Sequence, residues 1–182
     1  MVEHSYRKKL RSQITESYAK VMYTYETQQQ AATRRFKKNS YISATQILLS
    51  ALSSCGFIAI AFGKTHLATV FISALSVISL SLNLYSRGAS LPQNAEAHKK
   101  AADNLWMPIQ DYISLLTDFD DLSVSEIIKK RDSLQNQVYA YYKEAPRTSE
   151  GDYKSARRKL KTEDYQTFNE GECDQLLPVA LR

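Results

Sequence analysis

Charge is missing from the middle of this 182-residue chain: residues 39–63 hold none, and after Lys64 there is none until Arg87. Cysteine is scarce as well. Cys55 lies inside the uncharged block and Cys173 in the tail, which excludes a disulfide-stapled secreted domain. The five glycines form no GxGxxG or Walker loop, so nothing cradles a phosphate. The histidines, His4, His66 and His98, are isolated, and no His-Glu-x-x-His or Cys-x-x-Cys pattern offers a metal its ligands. A thiolate at Cys55 is disfavoured in so apolar a stretch, which leaves it a small packing residue. Asp118, Asp120 and Asp121, like Glu163 and Asp164, read as turns or caps rather than catalytic carboxylates. No catalytic, cofactor-binding or metal residue is assigned, no cofactor is expected, and an enzyme is a poor class for the chain. No strand and no internal repeat is evident.

The uncharged block is long enough to cross a membrane twice. Residues 41–62 and 66–86 are 22 and 21 residues long. As helices each reaches roughly 32–33 Å, against a hydrocarbon core of ~30 Å. A buried hairpin of a soluble helical domain is the weaker alternative, and a signal peptide fits worse, since the block is doubled and begins behind a long charged arm. The three-residue link 63–65 makes the helices antiparallel neighbours. Arg34, Arg35, Lys37, Lys38 and Arg87 flank the outer ends, against Lys64 alone in the turn, so both termini are expected in the cytoplasm of a bacterial inner-membrane protein.

Outside the spans the pattern is helical. Leu10, Ile14, Tyr18, Val21, Tyr25, Ala32 and Phe36 recur at three- and four-residue spacing, as do Ala95, His98, Ala102, Leu105, Ile109, Tyr112 and Leu116. Pro108 is expected to kink or restart the second of these helices. Ser123-Val124-Ser125-Glu126 is a capping box ahead of Ile127, Leu134 and Val138. Pro146 and Gly151 bracket a loop, residues 153–168 read as a short helix with a basic patch, and the tail from 171 as irregular. The expected plan is all-α: a basic amphipathic helix (1–40), two membrane helices (41–62, 66–86) about a periplasmic turn (63–65), a cytoplasmic helical region (87–145), and a short helix and tail (146–182). The Tyr18, Val21, Tyr25 stripe and the Ile127, Leu134, Val138 stripe offer more apolar surface than one short bundle needs, and point to oligomer or bundle packing.

Each span carries a polar stripe. Ser43, Gln46, Ser50, Ser53 and Ser54 recur along the first; Ser73, Ser76, Ser79, Asn83 and Ser86 along the second. Gln46 and Asn83 are costly to expose to lipid. Two readings stand: close helix packing by small residues, and a water-lined path through an assembly of hairpins. One hairpin cannot enclose a pore, so the second reading demands a homo-oligomer.

Residues 1–40 hold nine basic and three acidic side chains. The arm has three readings: anionic lipid, nucleic acid, or the acidic turn at Asp118–Asp121. Lipid is favoured for the juxtamembrane residues. Direct nucleic-acid binding is not favoured.

The layout resembles the SLATT family, two-span proteins of bacterial conflict systems. The matching features begin with Ala31-Ala32 and Arg34-Arg35-Phe36-Lys37-Lys38, leading into the first span. They continue with the Gly63-Lys64-Thr65 turn, then Ala101-Ala102, Leu105-Trp106 and Asp111-Tyr112-Ile113 beyond the second span. They run over roughly residues 8–145. Ala145-Pro146 and Asp152-Tyr153 resemble the variant associated with reverse transcriptases. The resemblance implies a membrane-disrupting effector that ends an infection by killing or stalling the cell, triggered by a sensor protein of nucleotide-cyclase or reverse-transcriptase type. It brings no catalytic residues. The competing function is a non-conducting membrane anchor whose cytoplasmic helices recruit a partner.

Overall fold

The computed structural model describes residues 2–62, 66–163, 168, 172 and 173, with the side chains of residues 2, 3, 55–62 and 66–68 outside that description. The turn 63–65, the side chains of Cys55 and His66, and most of the tail therefore lie outside the described residues.

All regular structure among the described residues is helical. The elements are α1 (Val2–Phe62), α2 (His66–Ala89), α3 (Leu91–Thr117), α4 (Val124–Glu144) and α5 (Glu150–Thr162). Helix α1 runs for 61 residues with no break near residue 40, so the arm and the first apolar segment are one helix. No glycine or proline precedes Gly56, so nothing in the chain interrupts it. The chain divides into two compact units, residues 1–30 with 100–182, and residues 31–99.

The first unit is built on an apolar core. Leu10, Ile14 and Val21 of α1 pack with Leu105, Ile109, Tyr112 and Leu115 of α3, with Phe119 just beyond it, and with Ile127, Leu134 and Val138 of α4. Tyr18 and Tyr25 are partly buried against the same core. Each fully buried side chain of this size contributes about 1.5–3 kcal/mol. The two stripes read as surplus for oligomerisation are thus taken up inside one chain. Assembly draws no support from them.

Pro108 sits inside α3, which runs on through it without restarting. The restart expected from the sequence does not occur. The ring is fully buried, and Leu105, Ile109 and Tyr112 around it are held in the core, so packing keeps the helix whole despite one missing hydrogen bond. Ser123 caps α4: its Oγ accepts from the Glu126 N–H, and the Glu126 carboxylate accepts from the Ser123 N–H at 2.9 Å. Hydrogen bonds donated by the Ser123 hydroxyl and then by its N–H hold the Glu126 carboxyl below the usual range. A second capping box, Ser149 with Asp152, starts α5 three residues earlier than the sequence reading placed it, and Gly151 is helical.

Helix α5 lies along α1 through polar contacts. Lys159 Nζ is 3.9 Å from the carboxylate of Glu26, which is buried. Gln30 Nε2 donates to Glu26 at 2.6 Å, and Ser155 Oγ donates to Gln30 at 3.1 Å. Gln28 Nε2 donates to the Pro146 carbonyl at 3.1 Å.

In the second unit, Ser90 separates α2 from α3 with a φ of 45°, the left-handed region that usually terminates a helix at glycine. Its N–H donates to the Arg87 carbonyl at 3.2 Å, closing α2 at Ala89 rather than at residue 86. Pro92 falls in the first turn of α3, where its missing N–H costs nothing.

Candidate functional site

The feature that bears on function is the pair formed by the second half of α1 with α2. Among the described residues, one helical run is long and apolar enough to cross a membrane. It lies within Thr69–Thr117, where an 18-residue window has a mean hydropathy of 1.5 and is 6% buried. The core helix of a soluble domain would be mostly buried. Val70, Phe71, Val77, Ile78, Leu80 and Leu84 instead stand half or more exposed. Ile47 and Leu48 of α1 are similarly open. The first predicted span ends among side chains outside the described residues.

The two helices meet along a seam. On α1 the partly buried positions are Asn39, Ile42, Gln46, Leu49 and Ser53; on α2, Ile72 is buried and Leu75, Ser79, Leu82, Ser86 and Ala89 are partly buried. Both sets alternate at three- and four-residue spacing, the repeat of helices packed at a shallow angle. At the outer end, Lys38 Nζ donates to Tyr85 Oη at 2.5 Å and stands 4.9 Å from the centre of that ring.

The ten polar positions of the two stripes separate on this seam. Gln46, Ser53, Ser79 and Ser86 lie in it, while Ser43, Ser50, Ser54, Ser73, Ser76 and Asn83 are exposed. The Gln46 Nε2 is buried with no hydrogen-bond partner among the described residues. Several of the exposed groups return a donor to their own helix: Ser54 Oγ to the Ser50 carbonyl (2.9 Å), Ser76 Oγ to Ile72 (3.0 Å) and Asn83 Nδ2 to Ser79 (3.2 Å). Such bonds lower the cost of a hydroxyl in an apolar medium, though Asn83 keeps a carbonyl oxygen and a second N–H.

The flanking cations divide as well. Arg34, Lys37, Lys38 and Arg87 are exposed, and Arg35, half-buried, donates to the Ala31 carbonyl at 3.0 Å. Farther along α1, the Arg7–Arg11 cluster is engaged by the acidic turn, the third of the readings open to it. Arg7 donates to the carbonyls of Phe119 and Leu122, and Arg11 pairs with Asp120 at 3.4 Å. Among the described residues no group of three or more His, Cys, Asp or Glu is placed to hold a metal ion.

The sequence reading missed the buried polar run Glu26, Thr27 and Gln28. Its signal was there: Gln28 falls on the same seven-residue repeat as Tyr25 and Ala32.

Residues 10–172 match the family described as SMODS and SLOG-associating 2TM effector domain family 4. No curated protein and no solved structure gives a significant match to the chain.

Proposed function

The chain belongs to the SMODS and SLOG-associating 2TM effector domain family, and on that premise we propose an oligomeric inner-membrane effector of bacterial antiviral defence. Its action is to form a pore or otherwise depolarise the membrane, killing or arresting the infected cell. The hairpin of α1 and α2 spans the membrane twice, with both termini in the cytoplasm. The observation that carries the reading is an apolar helix of spanning length whose side chains face outward rather than into a core.

One hairpin encloses no channel, so several copies assemble around a common axis. An upstream sensor of nucleotide-cyclase or reverse-transcriptase type supplies the trigger at native levels, and overexpression replaces it by driving assembly through mass action. Arg34, Lys37, Lys38 and Arg87 hold anionic headgroups on the cytoplasmic face and set the orientation.

A non-conducting anchor is the second reading. Trp106 and Met107, both about half exposed on α3, offer a partner an apolar surface. Controlled expression with a potential-sensitive dye, alongside mass measurement of the purified protein in detergent, separates the two. An effector collapses the potential and is multimeric. A chain that stays monomeric at micromolar concentration and leaves the potential intact is an anchor.

A further inference from the structure

Four of the exposed polar residues of the hairpin, Ser43, Ser50, Ser76 and Asn83, gather on one edge. Along α1 the seam positions Asn39, Ile42, Gln46, Leu49 and Ser53 leave Lys38, Thr45 and Leu52 on one flank and Ser43 and Ser50 on the other. Along α2 they leave Phe71, Ile78 and Tyr85 on one flank and Ser76 and Asn83 on the other. In an antiparallel pair with this repeat, like flanks meet across the seam. The Lys38–Tyr85 hydrogen bond shows which flanks these are, because it joins the Lys38 side of α1 to the Tyr85 side of α2. Ser43 and Ser50 therefore share the opposite edge with Ser76 and Asn83.

We propose that this serine–asparagine edge lines an aqueous path when copies of the hairpin assemble, while the Leu52–Ile78 edge faces lipid or a neighbouring copy. The assignment rests on the pore reading above and deepens it. Leu52, Phe71 and Ile78 are exposed and apolar, and Thr45 beside them returns its hydroxyl to the Tyr41 carbonyl at 2.8 Å. The serine edge has small side chains that leave room for water. Its largest group, Asn83, carries amide atoms that a hydrocarbon leaves unpaired.

The test uses the full chain with Cys55 and Cys173 replaced by alanine, and single cysteines at Ser50→Cys, Asn83→Cys, Leu52→Cys, Ile78→Cys and, in the seam, Ser53→Cys. Spheroplasts expressing each variant at matched membrane levels are read with a potential-sensitive dye and treated with a small charged methanethiosulfonate. Where the potential collapses, the thiols at 50 and 83 are expected to react on the order of tenfold faster than those at 52 and 78, because only a thiol in water ionises readily. Collapse with equal or faster reaction at 52 and 78, with reaction at 53 alone, or with none anywhere, overturns the edge assignment and leaves the pore reading standing. No collapse at any expression level removes the pore reading, and this inference with it.

Discussion

Arg7 ties the start of α1 to the end of α3 through Phe119: its guanidinium donates to the Phe119 carbonyl at 2.6 Å and lies 5.3 Å from the centre of the Phe119 ring. A third contact reaches the Leu122 carbonyl at 3.0 Å. The Phe119 and Leu122 carbonyls lie in the turn just past α3, near the negative end of its dipole, so a delocalised cation is suited to this place. Arg7→Ala is expected to cost about 1.5–3 kcal/mol of unfolding free energy, the range for hydrogen bonds to a charged group. Arg7→Lys recovers only part, since one ammonium cannot reproduce the planar fork. Arg11→Ala, at an exposed pair, costs less than about 1 kcal/mol. Denaturant unfolding of the full chain in detergent checks all three. Equal losses at positions 7 and 11 would refute the tie between Arg7 and the turn.

A second prediction concerns pH. Burial holds the Glu26 carboxyl above its ordinary 4.5, opposed by the Gln30 hydrogen bond and the Lys159 charge. A carboxyl raised in the folded state keeps its proton more tightly there than in the unfolded chain. Its contribution is therefore fully present below the ordinary value and is lost as pH rises through the raised one. Glu26→Gln removes that loss and keeps an acceptor for Gln30. Melting temperatures of parent and variant, taken from acid to neutral pH, should diverge above about 4.5 in the variant's favour. Parallel curves across that range would show that Lys159 and Gln30 offset the burial.

Much of the helical plan was legible because apolar spacing and capping residues are local signals. Ser123 and Glu126 announce α4, and Leu10, Ile14 and Val21 announce the buried face of α1. What escaped depends on partners. Glu26 looks solvated until Lys159 of α5 is brought to it, and Gly151 reads as loop when Ser149 and Asp152 are not paired. The polar stripes were visible as ten residues. Their division needed the register of α1 against α2, which no single helix encodes and which the Lys38–Tyr85 contact supplies.

Ser90 offers a local test of the α2–α3 junction. At a φ of 45° a serine is strained where glycine is not. Ser90→Gly should stabilise the chain by about 0.5–1 kcal/mol, the relief of strain being partly offset by the freedom glycine gains in the unfolded chain. Ser90→Ala keeps the strain and should not stabilise. Thermal unfolding that ranks alanine above glycine would count against a left-handed junction.

The orientation proposed for the hairpin is checked by labelling Lys64→Cys in a background lacking Cys55 and Cys173. An impermeant reagent added outside spheroplasts should modify it with the inner membrane intact. Reaction only after that membrane is breached would place residue 64 in the cytoplasm and reverse the rule drawn from Arg34, Arg35, Lys37, Lys38 and Arg87.

Gln46 and Asn83, the two costliest side chains of the spans, are expected to respond differently to the same substitution. Gln46 lies in the seam with a buried Nε2 that has no hydrogen-bond partner among the described residues. Gln46→Leu removes that unpaired donor and should leave the hairpin as stable or steadier by about 1–3 kcal/mol. Depolarisation should persist. Asn83 is exposed on the serine edge, and Asn83→Leu places a hydrocarbon where water is proposed to run. Depolarisation should weaken or gate differently, while insertion into the membrane stays the same or improves. Interhelical hydrogen bonds in membranes are worth on the order of 1 kcal/mol, so packing alone could shift activity through assembly. Expression level and oligomer mass are therefore measured on the same two variants. If both assemble and depolarise as the parent does, Asn83 does not line the path and the assignment of the serine edge fails. If the leucine at 46 abolishes depolarisation while the one at 83 does not, water runs along the seam between α1 and α2, and the hairpin must part to conduct.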